Sequence, residues 1–173
     1  MPTNAPVPVI EIKRLPLQDA GAAARWDAFV MACPQATFFH RAGWQKVIRE
    51  VFRHQTFFLQ AERDGQILGV LPLARIKSLL FGHSLVGLPF GVYGGVAAID
   101  DAAAQALEAE AQRIAQSLGV EHLELRHIQR RHTDWPLQEL YVTFRKEILP
   151  EEEANMLAIP RKQRAMVRKG IKN

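Results

Sequence analysis

Residues Thr56–Ile76 read TFFLQAERDGQILGVLPLARI, two apolar runs, Thr56–Glu62 and Gln66–Ile76, that meet at Arg63-Asp64-Gly65-Gln66. A two-residue hairpin turn needs positive φ at its two central residues, which Asp tolerates and Gly adopts freely, so Asp-Gly between apolar runs is a strong local hairpin signal. The segment predicts a β-hairpin, and with it a sheet whose neighbours are mostly antiparallel. Pro72, inside the second run, has no N–H to give a ladder, which predicts a bulge or an edge position there.

Working outward, Val7–Arg14 alternates loosely and suits a first strand beside that sheet. Asp19–Cys33 carries Trp26, Phe29 and Val30 at helical spacing after a capping Asp19, and Pro34 stops it. Ala42–Phe52 places Trp44, Val47, Ile48, Val51 and Phe52 on one expected buried stripe, with Thr37–His40 as an ordered lead-in. On the other side of the hairpin, Gly82–Gly95 holds five glycines and Pro89. Asp100 or Asp101 then caps a long helix to about Leu118, with Gly119 at its end. Strands are expected at His122–Ile128, with Leu123 and Leu125 on one face, and at Leu140–Ile148. Pro150 and Glu151–Glu153 follow, where a helix amino terminus favours Pro and acids. The order predicts an α+β (α/β-like) fold with a mixed, largely antiparallel sheet flanked by helices, without the strict βαβ alternation of a doubly wound nucleotide fold.

The 173 residues allow one domain with a real core, and 48% hydrophobic with 23% charged residues is ordinary for a folded chain. The formal charge of +4 is uneven, because Pro160–Asn173 holds six Lys or Arg and no acid, leaving 16 basic against 18 acidic residues elsewhere. A global affinity for nucleic acid is thereby unsupported, and a local anion site at the tail is supported. The lone Cys33 excludes an internal disulfide and a thiolate zinc site, and it points to a cytoplasmic, reducing setting. Between Ala32 and Pro34 it reads as packing, not as a nucleophile. Met1–Pro8 lacks the pattern of a secretory signal, and no apolar stretch is long enough for a membrane span.

Two segments are candidates for binding. In the glycine-rich segment, Tyr93, Gly94 and Gly95 can lie at a cleft mouth, Tyr93 donating a hydrogen bond and the glycine backbone holding a substrate, or the glycines can serve a bulged strand and tight turns. The spacing is neither GxxxxGK followed by Ser or Thr nor GxGxxG at a helix start. In the tail, a helix from Pro160 aligns Arg161, Arg164, Arg168 and Lys172 with Lys162 and Lys169 beside them, while Met166, Val167, Gly170 and Ile171 cover the other side. Guanidinium forks match phosphate and carboxylate, so that face is an anion site or a merely solvated one. His122 and His127 are expected on opposite strand faces, so they and His132 suggest no shared metal, and metal ligands are assigned nowhere. His40 is open to two roles, general base or satisfied capping residue. No Ser/His/Asp or Cys/His set emerges, and the catalytic residues stay unassigned.

The runs ATFFHRAGWQKVIREVF (36–52), FFLQAERDGQILGVLPLARIKS (57–78), LPFGVYGG (88–95) and IPRKQRAMVRKGIKN (159–173) together resemble the amino-terminal half of FemAB-related proteins, particularly the branch associated with PEP-CTERM and exopolysaccharide systems. The resemblance implies a GNAT-like domain over residues 1–149 and a basic helical segment over 150–173 that leads toward a missing carboxy-terminal GNAT-like domain. It implies an acyl or aminoacyl transferase acting on a cell-envelope or polysaccharide-related acceptor, inactive as this piece alone. The acyl donor would be aminoacyl-tRNA or acyl-CoA, although the chain lacks the R/Q-x-x-G-x-G/A loop that takes acetyl-CoA. The partners implied are an anionic small-molecule or glycan-linked substrate and tRNA. The substrate-binding residues carried over are Tyr93, Gly94, Gly95, Arg161, Lys162, Arg164, Arg168 and Lys169. A reading from another class is a non-catalytic binding module that holds RNA or an anionic glycan through the basic helix.

Overall fold

The computed structural model describes residues 9–78 and 82–172. They divide into two compact units, one ending at Thr133 and one beginning at Asp134.

The hairpin is the middle of the first unit. Strand β2 (Gln55–Arg63) turns through Asp64 (φ 50°) and Gly65 (φ 77°) into β3 (Gln66–Ser78), both turn residues being left-handed as the Asp-Gly pair requires. β1 (Glu11–Arg14) pairs antiparallel with β2; Val7 and Pro8, expected at its start, lie outside the described residues. β4 (Gly82–Gly87) and the two-residue β5 (Ala97–Ala98) both pair antiparallel with β3, and β6 (His122–Glu124) runs parallel to β4. The sheet is therefore mixed and largely antiparallel, in the order β1-β2-β3-β4-β6 with β5 on β3.

Alternation along the hairpin sends neighbouring side chains to opposite faces. Phe58, Val70 and Ala74 meet Trp26 and Val30 of α1 (Ala20–Ala32) and Ile48 of α2 (Gly43–Glu50). Phe57, Leu59, Leu71 and Leu73 meet Leu107, Ala111 and Ile114 of α3 (Asp101–Leu118). Each fully buried side chain of this kind contributes about 1.5–3 kcal/mol, so both helical layers are held through the same strands. The caps are as expected: Asp19 accepts from Ala22 N–H, Asp100 accepts from Ala103 N–H, and Gly119 is left-handed at the end of α3.

Four expectations need correction. Pro72 is neither at an edge nor in the bulge, which lies between Ala61 and Glu62. Its carbonyl accepts from Leu88 N–H, and its missing N–H falls where the flank of β3 changes partner from β5 (at Val70) to β4 (at Leu73). On α2 only Ile48 of the expected stripe is fully buried; Val47 and Val51 are exposed and Phe52 lies beyond the helix, stacked on Phe90. The helix is short, and its inward positions are those of Gln45 and Ile48, the amide of Gln45 reaching the carbonyl of Leu15. β6 stops at Glu124, because beyond it the Arg126 carbonyl accepts from Gly94 and Gly95 instead of continuing the ladder to β4. Leu123 and Leu125 nevertheless share the α3 side.

In the second unit, Leu140–Ile148 forms no strand, and Tyr141, Val142 and Phe144 are exposed. Among the described residues of that unit no strand pairs with this run, and an isolated strand is not stable in water. Helices α4 (Glu152–Leu157) and α5 (Arg161–Ile171) follow, with Glu152 and Glu153 in the first turn of α4. Among the described residues no helix is long and apolar enough to cross a membrane.

Candidate functional site

The glycines after β4 are required by close packing. A β-carbon on Gly87 would lie 2.1 Å from the Gly94 carbonyl oxygen, and one on Gly94 would lie 2.3 Å from the Gly87 oxygen. A β-carbon on Gly95 would sit 2.3 Å from Cδ2 of His127. The N–H groups of Gly94 and Gly95 both point at the Arg126 carbonyl, 3.1 and 3.0 Å away, so these donors join the loop to the chain beyond β6. Tyr93 is half-buried and meets Phe39 edge to face.

His40 holds the same loop from the other side. Thr37 and His40 form a capping box at the 3-10 turn Phe38–His40, Thr37 N–H donating to Nδ1 of His40. Nε2 therefore carries the ring hydrogen and donates to the Gly95 carbonyl at 3.0 Å. Burial pushes the pKa of His40 below its ordinary value, and with both nitrogens engaged it is the satisfied capping residue, not a free general base. Its own carbonyl accepts from the indole of Trp26. Cys33 is buried, in keeping with packing.

Sequence reasoning missed a polar cluster centred on Glu108. This carboxylate is only 3% exposed although it lies in the apolar face of α3 with Ala104, Leu107 and Ala111. Arg131 Nε donates to its Oε1 at 2.9 Å, His132 Nε2 lies 3.0 Å from Oε2, and His127 Nε2 lies 3.8 Å from Oε1. Desolvation lowers the pKa of His127 to about 4, opposed by Glu108 and assisted by Arg131, His132 and His40, so its ring is neutral at neutral pH. An acid inside the Ala104-Leu107-Ala111 stripe was the available signal, since a buried carboxylate demands partners. Among the described residues no group of three His, Cys, Asp or Glu side chains is arranged to hold a metal ion. His122 stands apart, exposed on β6.

Beside this cluster, at the first turns of α3, lies an open-mouthed cavity of about 560 Å³. Its lining includes Gln35, Asp101, Gln105, His127, Gln129 and Arg131 together with the apolar Pro34 and Val96.

The basic candidates lie in the second unit. α5 has no buried residue, and Arg161, Lys162, Arg168 and Lys169 are exposed. Met166 and Ile171, expected to cover a packed side, are exposed as well. Arg164 differs, because its guanidinium donates to the carbonyls of Leu157 and Ile159 and so closes the end of α4.

No protein-family model matches the chain. No curated protein matches it either. Among solved structures the chain is similar to a GNAT family acetyltransferase of Staphylococcus aureus subsp. aureus USA300_TCH1516, with a TM-score of 0.46 and 10% identity over 80% of this chain and 98% of that one.

Proposed function

We propose that the chain is the amino-terminal, GNAT-like part of a FemAB-type acyl or aminoacyl transferase whose acceptor is a cell-envelope or polysaccharide-related molecule, its cleft completed by a second GNAT-like domain. The observation that carries this reading is that the resembling runs fall in order on discrete elements: the capped turn with α2, the β2–β3 hairpin, the loop after β4, and α5. The mixed, largely antiparallel sheet is the architecture that the resemblance implies.

In this reading an amine or hydroxyl of the acceptor attacks an activated acyl ester directly. The new bond to the acyl carbon forms as the ester C–O bond breaks, and the acceptor proton leaves with the departing hydroxyl. Orientation and oxyanion stabilisation supply the rate, with no covalent nucleophile. The burial of Cys33 and the double engagement of His40 support that choice. The residues offered to substrate are Tyr93, Gly94 and Gly95 in the first unit, and the exposed Arg161, Lys162, Arg168 and Lys169 of the second unit are suited to phosphate.

A second reading, a non-catalytic module for RNA or an anionic glycan, is favoured by α5 itself, which buries no residue and carries no acid. Titration with aminoacyl-tRNA, the same tRNA deacylated, and acetyl-CoA separates the two. A transferase part binds an acylated donor in preference to its deacylated form, whereas a module binds both tRNAs alike. Failure to bind any of the three removes the transferase reading and the RNA form of the module.

A further inference from the structure

The cavity at the first turns of α3 is lined by three glutamines and by charged side chains that are paired. Gln35, Gln105 and Gln129 line it, and an amide can both donate and accept, as a hydroxyl group can. The charged side chains that line it are Asp101, Arg130 and Arg131, and the buried Glu108, which does not line it, balances the excess: Arg131 lies on Glu108 at 2.9 Å and 3.9 Å from Asp101. Arg130 is turned onto the backbone carbonyls of His132 and Thr133, so its guanidinium is engaged within the loop. Arg131 is held by Glu108 and Asp101 lies 3.9 Å from it, so neither charge faces a ligand unopposed. His127, neutral through burial, adds a polar wall without charge. At about 560 Å³ the space falls within the range of small-molecule pockets. The buried carboxylate of Glu108 holds Arg131 and His132 beside it, so this wall is shaped before any ligand arrives.

From this lining we infer that the cavity is a binding site for a small uncharged polyhydroxylated ligand, seated among Gln35, Gln105 and Gln129 against His127. The inference lies wholly within the first unit and does not depend on the transferase reading.

Nuclear magnetic resonance of the whole chain tests it, with glucose and myo-inositol as probes and glucose 6-phosphate and glucosamine as charged counterparts. A ligand of this size binds at roughly millimolar affinity. The expected result is saturable shifts of the side-chain amides of Gln105 and Gln129 and of the His127 ring with a neutral probe, at least about tenfold weaker with the charged pair. Gln105→Leu weakens the neutral probe by a similar factor while thermal unfolding stays unchanged; if that variant fails to fold, Gln129→Leu serves. No saturable shift with either neutral probe, equal binding of the charged analogues, or undiminished binding in both folded glutamine variants would overturn the assignment.

Discussion

The ring of His127 occupies the space where a β-carbon on Gly95 would stand, 2.3 Å from Cδ2, while the Gly95 carbonyl accepts from His40 on its other side. One glycine thus joins the capped turn before α2 to the chain beyond β6. Gly95→Ala forces the ring to move within a packed region and is expected to cost about 1–3 kcal/mol by chemical denaturation. In a His127→Ala background the same substitution is expected to cost much less, and an additive pair would show that the ring is not what excludes the methyl group.

The lowered pKa of His127 gives stability a pH dependence of definite sign. The unfolded imidazole takes up a proton near its ordinary value of 6.5, the folded one only near about 4. Between those values the unfolded chain binds more protons, so stability rises with pH. The contribution is fully present above 6.5, is lost as pH falls toward 4, and amounts to about 3 kcal/mol. His127→Gln is expected to flatten that slope relative to the parent chain when urea midpoints are compared from pH 4 to 7. An unchanged slope would mean that another group titrates there.

What was legible in the sequence follows the range of the forces involved. The hairpin, the caps of α1 and α3 and the left-handed Gly119 are set by neighbours within a few residues, and they stand where Asp64-Gly65, Asp19, Asp100 and Gly119 place them. Pro72 was misplaced because its acceptability depends on which strand flanks β3 at that point, which no local pattern encodes. Val47 and Val51 fit a helical stripe, but the direction from which the sheet approaches α2 decides burial. Leu140–Ile148 has strand-like residues but pairs with no strand among the described residues. For the candidate site, Tyr93-Gly94-Gly95 could be flagged from composition, yet the partner that requires each glycine lies elsewhere in the chain: Gly87 for Gly94 and His127 for Gly95. The meeting of His127 and His132 on Glu108 was hidden because Ile128 was expected to remain in a strand, whereas β6 ends at Glu124 and frees both rings to reach α3.

Glu108 holds the loop that carries His127 and His132. Glu108→Gln keeps the size of the side chain but removes the charge paired with Arg131, and is expected to cost about 1–3 kcal/mol, below the value for a wholly buried pair because Arg131 is partly exposed. Amide hydrogen exchange at residues 127–133 is expected to accelerate while the β2–β3 hairpin keeps its protection. Uniform acceleration across the first unit would indicate a global loss instead.

Gly65, at φ 77° with open space where a β-carbon would point, isolates the backbone requirement of the hairpin turn. Gly65→Ala is expected to cost about 1 kcal/mol, through conformational strain alone. Gly65→Asn, which tolerates the left-handed region better, is expected to recover part of that loss in thermal unfolding. Equal losses for the two would point to a rearranged turn.

The basic helix separates a structural arginine from exposed ones. Arg164 is bonded to the carbonyls of Leu157 and Ile159, whereas Arg168 and Lys169 stand exposed on α5. Arg164→Ala is expected to loosen the α4–α5 junction, seen as faster exchange over residues 154–164. The double substitution Arg168→Gln with Lys169→Gln is expected to leave that protection intact and to weaken tRNA binding. Each phosphate that the chain no longer neutralises flattens the dependence of log affinity on log salt by about 0.7–0.9, so the pair is expected to reduce the slope by roughly 1.5. A slope unchanged by the double substitution would show that these side chains meet no phosphate, and would leave α5 a solvated face.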